Sequence, residues 1–284
     1  MMIERKFAPG DKWLYLKIYT GVKTADIILE EVIQPLTEYF RQQQSISKWF
    51  FVRYNDPNPH LRIRFEINNN EVFDKTKTAL QQYVDSGEIS NILIDSYQRE
   101  IERYGQNTIE DVETLFCINS EFTLECLSYN DEEKIMITMF YIDQIFNKIH
   151  FSVQEKLSWI KDFNIHFKKE FRADKHLNSQ LDKKYRNFKP IFLDFIQSED
   201  FSEERNTIIS YIEESAHALQ HIIHHNENQS LNIPLKNLFQ SIFHMNINRM
   251  FISNQRLFEM IIYDYLFRYY KSLAFSSVDD KTSA

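Results

Sequence analysis

Apolar and polar positions alternate in four stretches of the first hundred residues, and this alternation predicts four strands. Side chains of a strand alternate between its two faces, and these stretches are rich in the aromatic and β-branched residues that favour strands. Two intervening stretches repeat their apolar residues at helical spacing. The predicted strands cover residues 13–19, 49–54, 60–65 and a segment from 92, and the predicted helices cover 24–44 and 69–83. The resulting order, β-α-β-β-α-β, is typical of a ferredoxin-like sheet.

The chain after residue 108 shows only helical periodicity. The predicted helices cover residues 109–128, 131–149, 152–172, 176–197, 203–226, 233–252 and 254–274. We therefore expect an α+β fold, with an N-terminal ferredoxin-like sheet and a larger C-terminal all-helical part. The composition changes near Gly105, which predicts a ferredoxin-like subdomain over 1–105, a helical subdomain over 106–275 and a disordered tail over 276–284, in one integrated domain.

The predicted sheet has one face that its two helices cover and one face that they leave open. We expect the open face to be aromatic and basic, which is unusual for a surface that meets only water. Either the helical part or a ligand should therefore pack on it. The side chains assigned to this face are those of Tyr15, Lys17, Trp49, Phe51, Arg53, His60, Arg62 and Arg64.

Composition and charge narrow the class of protein. The chain has 284 residues, 43% of them hydrophobic, which suffices for a large core. No stretch approaches the ~18 uninterrupted apolar residues of a membrane-spanning helix, and the N-terminus lacks the apolar segment of a signal peptide, so we expect a cytoplasmic protein. The net charge of -8 argues against a general nucleic-acid binder. No phosphate-binding or dinucleotide-binding glycine motif is present, and we expect no cofactor.

The candidate chemistry starts in the third predicted strand, in the string Asp-Pro-Asn-Pro-His-Leu-Arg-Ile-Arg-Phe at 56–65. Alternation places His60, Arg62 and Arg64 on one face, with the two guanidiniums ~7 Å apart. Two such cations repel each other unless an anion lies between them, and their planar donors fit carboxylate or phosphate. The strand face is therefore either a solvated polar surface or an anion site.

Two further strings carry groups that could act with these arginines. Residues 97–105 read Tyr-Gln-Arg-Glu-Ile-Glu-Arg-Tyr-Gly, in which the charges either pair on a solvated turn or bring Arg103 and Glu100 to the anion site. On a later helix, His244 and Asn248 share one face. A lone histidine there is either a structural residue or a group that exchanges a proton near neutral pH.

A histidine-rich helix segment is a candidate metal site. His217 and His221 have the i,i+4 spacing of a helical metal pair, and His224 and His225 follow. The intervening glutamate of a zincin motif is missing, and no cysteine or carboxylate ligand is fixed by spacing. We interpret the segment as a polar helix face and expect no metal.

Taken in order, three strings resemble the lantibiotic dehydratase C-terminal domain, also called the SpaB C-terminal or thiopeptide-type bacteriocin biosynthesis domain. They are the strings at 56–65 and 97–105 and His-Met-Asn-Ile-Asn-Arg at 244–249. The resemblance runs from the strand at Trp13 to the last helix. One departure is Gln106, which stands where the family usually has a second glycine after Gly105.

The resemblance implies a lyase of peptide modification. In that family the domain eliminates glutamate from glutamylated Ser or Thr of a ribosomally made precursor peptide, giving dehydroalanine or dehydrobutyrine in lanthipeptide or thiopeptide biosynthesis. Glutamylation uses glutamyl-tRNA and belongs to a larger N-terminal domain, which is absent from this sequence, so the resemblance implies a stand-alone elimination subunit of a split dehydratase. The implied partners are the glutamylated precursor peptide and the large glutamylation subunit, with a homodimer left open.

The resemblance also assigns roles to residues. Arg62, Arg64 and Arg103 are implied to bind the glutamyl group and the developing charge, and Glu100 to position an arginine. His244 is implied to move the proton, either as base at Cα or as acid to the leaving group. His60 and Tyr104 complete the substrate-binding set that we expect.

Three alternatives remain beside elimination. Members of the same family join two dehydroalanines in a formal [4+2] cycloaddition that forms the pyridine ring of thiopeptides. An aromatic sheet face is also typical of single-stranded RNA-binding modules, although the RNP strings are absent. A peptide-docking subunit without catalysis, which captures a strand at an exposed sheet edge, is the third.

Overall fold

The computed structural model describes the backbone of residues 3–282 and the side chains of residues 3–275. The disordered tail predicted for residues 276–284 lies outside the residues whose side chains are described. Within the described part of the chain, no helix combines the length and the apolar character that crossing a bilayer requires.

An antiparallel four-stranded sheet forms the N-terminal part of the fold. The strands of this sheet are β2 (Trp13–Thr20), β3 (Ile46–Tyr54), β4 (His60–Ile67) and β5 (Ile89–Asp95). Their order across the sheet is β3-β4-β2-β5, and each neighbouring pair is antiparallel. Strand β4 thus lies between β2 and β3, as a split βαβ unit requires. The predicted ferredoxin-like arrangement and the α+β class are confirmed.

Helices join the strands and make up the rest of the described chain. The helical segments are α1 (Val22–Ile28), α2 (Gln34–Gln42), α3 (Glu71–Asp85), α4 (Ile101–Tyr104), α5 (Ile109–Glu125), α6 (Asp131–Lys148), α7 (Val153–Glu170), α8 (Lys175–Gln197), α9 (Ser202–Glu214), α10 (Ala216–Glu227), α11 (Leu235–Met250) and α12 (Gln255–Thr282), with a π turn at Leu29–Ile33 and a 3-10 turn at Glu199–Phe201. The all-helical C-terminal part is confirmed.

Three stretches differ in local detail from the prediction. The helix predicted over 24–44 widens into a π turn directly before Pro35, whose ring could not follow a regular turn. The helix predicted over 203–226 is two helices, interrupted at Ser215, whose hydroxyl donates back to the Tyr211 carbonyl at 2.8 Å. Before residue 13, where no strand was predicted, β1 (Lys6–Phe7) pairs with β6 (Tyr97–Gln98) in a separate two-stranded sheet.

The chain divides into two compact units, residues 1–128 with 220–253 and residues 129–219 with 254–284. The first unit contains the sheet together with α5 and α11. This division differs from the boundary predicted near Gly105, because it joins two helices from the C-terminal part to the sheet. All residues of the candidate site described below belong to the first unit.

The register of the β3–β4 hairpin corrects the predicted face of β3. Phe50 lies opposite Arg64 and Val52 opposite Arg62, whereas Trp49 and Phe51 lie opposite core residues of β4. Trp49, Phe51 and Arg53 therefore do not share the face of the arginines. Both faces of β3 are apolar, so alternation alone did not determine which face meets α1–α3. Trp49 and Phe51 pack in the core beneath those helices.

The opposite face of the sheet is partly covered. Trp13 is fully buried, with its ring 5.6 Å from Phe50 and 5.1 Å from Tyr97. Phe116 of α5 extends this aromatic cluster, with its ring 5.5 Å from Phe50. The aromatic cluster and α5 thus cover the part of the aromatic and basic face around Trp13 and Phe50. The arginines of β4 lie beside this covered part.

Candidate active site

Arg64 is enclosed by aromatic rings. Its Cζ lies 4.2 Å from the Tyr15 ring centroid, 5.0 Å from that of Tyr97 and 5.3 Å from that of Phe50. Its Nε and Nη1 atoms are buried and have no hydrogen-bond partner. Ring faces attract a cation, but they do not replace the oxygen acceptors that a guanidinium finds in water. Arg64 is therefore a half-buried cation, with two buried donor nitrogens available for an anion.

Arg62 lies two residues earlier on the same face and has a different environment. Its Cζ is 3.4 Å from the centroid of the Tyr54 ring, and its Nε donates to His60 Nε2 at 3.0 Å. Lys17 stands opposite Arg62 on β2 and pairs with Asp95 at 2.5 Å. The cluster is therefore positively charged at its outer end, and Asp95 offsets only the lysine.

Helix α4 brings the second pair of charges to this face. Arg103 Nη1 lies 3.4 Å from Glu100 Oε2, and both side chains are partly exposed. Gly105 ends the helix with a φ of +79°, and a Cβ there would lie 2.6 Å from Thr108 Oγ1. Glycine is required at this turn for both reasons. Burial raises the pKa of Tyr104 to about 12, so its hydroxyl remains a hydrogen-bond donor at neutral pH.

Arg99 lies next to Glu100 in the sequence, but its side chain belongs to a separate buried network. Its Nε and Nη2 atoms donate to the two carboxylate oxygens of Glu113 at 2.8 and 2.7 Å. The Tyr97 hydroxyl also donates to Glu113 at 2.8 Å, and burial raises the pKa of Tyr97 well above its usual value. Glu113 was missed by sequence reasoning, because nothing in its helical neighbourhood distinguishes it from a surface carboxylate. Its network fixes Tyr97, one wall of the Arg64 enclosure.

Helix α11 is attached to strand β3 by two side chains. Asn248 accepts from the backbone amide of Arg53 at 3.0 Å and donates to its carbonyl at 2.9 Å. Arg249, fully buried, donates to the carbonyl of Phe51 at 2.7 Å. His244 lies one helical turn before Asn248 on the same face. The attachment therefore sets where the imidazole lies relative to the sheet.

These groups line one cavity of about 150 Å³, in which a benzene-sized group would fit. The structure brings together six of the seven site residues predicted from the sequence. His60 is the exception, because it is buried behind Arg62 and does not line the cavity. Tyr54, Tyr97 and Asn248 also line it and were not predicted as site residues. The predicted residues that line the cavity are Arg62, Arg64, Glu100, Arg103, Tyr104 and His244.

The histidines of α10 lie outside this cavity. His221 Nδ1 is 2.7 Å from Asp111 Oδ2, and His225 Nδ1 is 2.7 Å from Ser230 Oγ. Burial is the main reason that the pKa of His225 is lowered. Among the residues whose side chains are described, no group of three or more His, Cys, Asp or Glu is placed to hold a metal ion.

The cavity carries three guanidiniums, one carboxylate and one imidazole, and five Phe and Tyr rings also line it. Such a site can bind a carboxylate through charge-assisted hydrogen bonds and can move a proton close to it. A family model described as lantibiotic biosynthesis dehydratase C-term matches residues 13–270. The chain belongs to this family. The matched range includes the three strings on which the resemblance to this family is based.

Two curated relatives of this family are much longer than the chain. The subtilin biosynthesis protein SpaB of Bacillus subtilis is 26% identical over 180 residues, which is 60% of this chain and 17% of SpaB. The nisin biosynthesis protein NisB of Lactococcus lactis subsp. lactis is 23% identical over 290 residues, which is 88% of this chain and 26% of NisB. The chain thus spans a minor part of the length of either relative.

Three solved structures share the fold. The tRNA dependent lantibiotic dehydratase MibB from Microbispora sp. 107891 is similar with a TM-score of 0.67 at 18% identity, over 91% of this chain and 28% of MibB. TsrL is similar with a TM-score of 0.68 at 11% identity, over 92% and 94%. The pyridine synthase TbtD from thiomuracin biosynthesis is similar with a TM-score of 0.56 at 12% identity, over 92% and 99%.

Proposed function

We propose that this lantibiotic dehydratase C-terminal domain eliminates glutamate from glutamylated Ser or Thr residues of a ribosomally made precursor peptide. The products are dehydroalanine or dehydrobutyrine and free glutamate. The observation that carries the proposal is the pair of buried, unpartnered N–H donors of Arg64 in a cavity that His244 also lines. Buried donors without an acceptor are costly, and a substrate carboxylate would satisfy them.

The reaction needs a base, charge stabilisation and a leaving group. The Cα–H bond of the esterified residue breaks, and its electron pair moves onto the peptide carbonyl as an enolate. This pair then forms the Cα=Cβ bond as the Cβ–O bond breaks, and the electrons of the Cβ–O bond leave with glutamate as a carboxylate. Negative charge develops first on the peptide carbonyl and then on the departing carboxylate. Arg62, Arg64 and Arg103 stabilise these charges, and Glu100 positions Arg103, its partner at 3.4 Å.

His244 moves the proton in this proposal, and two roles are compatible with its place on the cavity wall. As base it removes the Cα proton. As acid it protonates the departing carboxylate. Incubation of the glutamylated peptide in D₂O separates the roles, because loss of Cα deuterium exchange in His244→Ala identifies the base, whereas exchange that survives without product identifies the acid.

The direct test gives purified glutamylated peptide to the wild-type chain and to His244→Ala and Arg64→Ala. Elimination yields a peptide lighter than the unmodified peptide by one water, whereas ester hydrolysis returns the unmodified mass. We expect elimination by the wild type and a loss of about 10²–10³ in rate for each variant, the range that one oxyanion donor contributes. Wild-type rates in both variants would contradict the assignment.

Pyridine formation by [4+2] cycloaddition is the second candidate. It is favoured by the similarity to the pyridine synthase TbtD over 99% of that chain. The charged lining of the cavity favours elimination, because a cycloaddition between two dehydroalanines has no carboxylate leaving group to bind. Incubation with a dehydroalanine-containing peptide distinguishes the two, since cyclisation would give a macrocycle and release the leader peptide.

The proposal also implies a partner that supplies the glutamyl ester. We propose a large glutamylation subunit that uses glutamyl-tRNA, and no direct nucleic-acid contact by this chain. Co-expression with such a subunit and a precursor peptide should give dehydrated peptide, whereas omission of this chain should leave glutamylated peptide. A non-catalytic docking role would instead give peptide binding without any mass change.

A further inference from the structure

His60 occupies a defined position directly behind the cavity. Its side chain is 3% exposed and its ring stacks at 4.6 Å on Tyr19 of β2 and at 5.3 Å against Tyr54 of β3. Its Nδ1 lies 2.8 Å from the carbonyl oxygen of Asn58, and its Nε2 lies 3.0 Å from Nε of Arg62. Both nitrogens of the imidazole therefore have a partner. The two tyrosine rings that pack against the imidazole belong to β2 and β3, the strands on either side of β4.

The two partners determine the tautomer of the ring. A carbonyl oxygen only accepts a hydrogen bond, so Nδ1 must carry the proton. A guanidinium only donates, so Nε2 must be bare. His60 is thus held as the neutral Nδ1–H tautomer. Because Nε2 is an uncharged acceptor, it can bind the Nε–H of Arg62 on the side away from the cavity without neutralising the guanidinium.

Arg62 has two such uncharged supports. The first is the Nε2 of His60, and the second is the face of Tyr54, 3.4 Å from the guanidinium carbon. The residue opposite Arg62 on β2 is Lys17, a cation that repels it. A carboxylate support would neutralise the guanidinium, whereas an imidazole and a ring leave its charge available. Arg62 lines the cavity, so this charge is available to a ligand there.

We propose that His60 is a positioning residue, whose bare Nε2 holds the Arg62 guanidinium over Tyr54 in the orientation that binds a substrate carboxylate. The proposal rests on the proposed function only for the identity of that substrate. It assigns His60 no contact with substrate and no proton transfer. His60 acts entirely through Arg62, which distinguishes it from His244.

The arrangement makes the support sensitive to pH. The charged groups near the ring are Arg62 and Lys17, which are positive, and Asp56, which is negative. Burial first, and then these cations, lower the pKa of His60, so the ring is neutral at neutral pH. Protonation at acid pH would turn Nε2 into a donor and place a positive ring against Arg62. The support is then lost, and carboxylate binding weakens.

Two substitutions separate the two ring nitrogens. Glutamine reaches as far as Nε2 and can offer its amide oxygen to Arg62. Asparagine reaches only as far as Nδ1, so His60→Asn keeps the donor to the Asn58 carbonyl and loses the acceptor. We expect His60→Asn to lose about 10- to 100-fold in kcat/KM, mainly through KM, because a hydrogen bond to a charged group is lost. His60→Gln should recover most of this loss.

A double-mutant cycle tests whether the effect passes through Arg62. In an Arg62→Ala background, His60→Asn should cost no further activity, because the group it supports is absent. A full additional loss in that background would overturn the proposal, as would equal losses in His60→Asn and His60→Gln. Arg64→Ala is the matched control background, in which His60→Asn should still reduce carboxylate binding.

Nitrogen NMR of the histidine rings gives a readout that needs no turnover. We expect a neutral Nδ1–H ring for His60 and a higher pKa of this ring in Arg62→Ala, because a neighbouring cation is removed. An unchanged pKa, or a proton on Nε2, would overturn the proposal. A wild-type chain that eliminates nothing but shows this coupling would contradict the proposed function alone, so the two failures are distinguishable.

Discussion

Substitution of Arg64 by methionine should stabilise the fold and abolish the activity. Two buried donor nitrogens of Arg64, Nε and Nη1, have no hydrogen-bond partner, and relief of each such donor is worth about 1–3 kcal/mol. The contacts with three ring faces that would be lost are worth about 0.5–2 kcal/mol. Methionine fills a similar volume and packs well against aromatic rings. We expect the free energy of unfolding to rise by about 1–3 kcal/mol.

The assay compares unfolding and turnover in the same preparations. Thermal midpoints should rise by about 2–4 °C for each kcal/mol gained. Elimination should fall by about 10²–10³, because the donors that bind the developing charge are absent. Free glutamate, the proposed product, should raise the midpoint of the wild type and leave that of Arg64→Met unchanged.

The matched control is Arg186→Met on the exposed surface of α8. Arg186 pairs with Asp182 one turn away and is 76% exposed, so its loss should change the free energy of unfolding by no more than about 0.5 kcal/mol. The reasoning is refuted if Arg64→Met is destabilised by more than about 1 kcal/mol while the control is neutral. Arg64 would then support the fold rather than a bound anion. Full activity in Arg64→Met would refute the binding role.

Three further substitutions test the structure around the cavity. Gly105→Ala should destabilise by about 1–3 kcal/mol more than Gly10→Ala in denaturant titrations, because both have positive φ but only Gly105 lacks room for a Cβ. Equal effects would show that backbone strain alone matters. Glu113→Gln should cost about 3–5 kcal/mol of unfolding free energy, because buried Arg99 loses its buried counter-charge and keeps only the exposed Glu110, at 3.3 Å; a change below about 1 kcal/mol would contradict this. Asn248→Ala should reduce the elimination rate more than the free energy of unfolding, since two hydrogen bonds that fix α11 are lost. An unchanged rate would show that helix packing alone positions His244.

The local patterns of the sequence determined most of the secondary structure. Alternation and helical spacing depend only on which side chains are apolar, so each segment's own sequence contains the pattern that predicts it. The strand at β4 shows this directly, since Leu61, Ile63 and Phe65 enter the core and Arg62 and Arg64 line the cavity. The helix interrupted at Ser215 shows the limit, because its apolar spacing continues across the interruption.

Pairing between distant segments was decided by the tertiary structure. Strand β3 is apolar on both faces, so only its register with β4 determined that Phe50 and not Trp49 joins the arginines. Strand β1 has two residues and no alternation, and it forms because β6 lies beside it. A hydrogen-bonded partner far away in sequence leaves no periodic signal in either segment.

The chemical groups of the candidate site were present in three short strings, and their residue types alone predicted anion binding and proton transfer. What the sequence left open was the state of each group. Only packing determined that Arg64 is enclosed by rings without an acceptor, that Arg99 is neutralised by Glu113, and that His60 lies behind Arg62. Charge and hydrogen-bonding capacity belong to a residue type, whereas burial and partners belong to its surroundings. Those surroundings are contributed by β2, β3, α5 and α11, which the chain joins only when it folds.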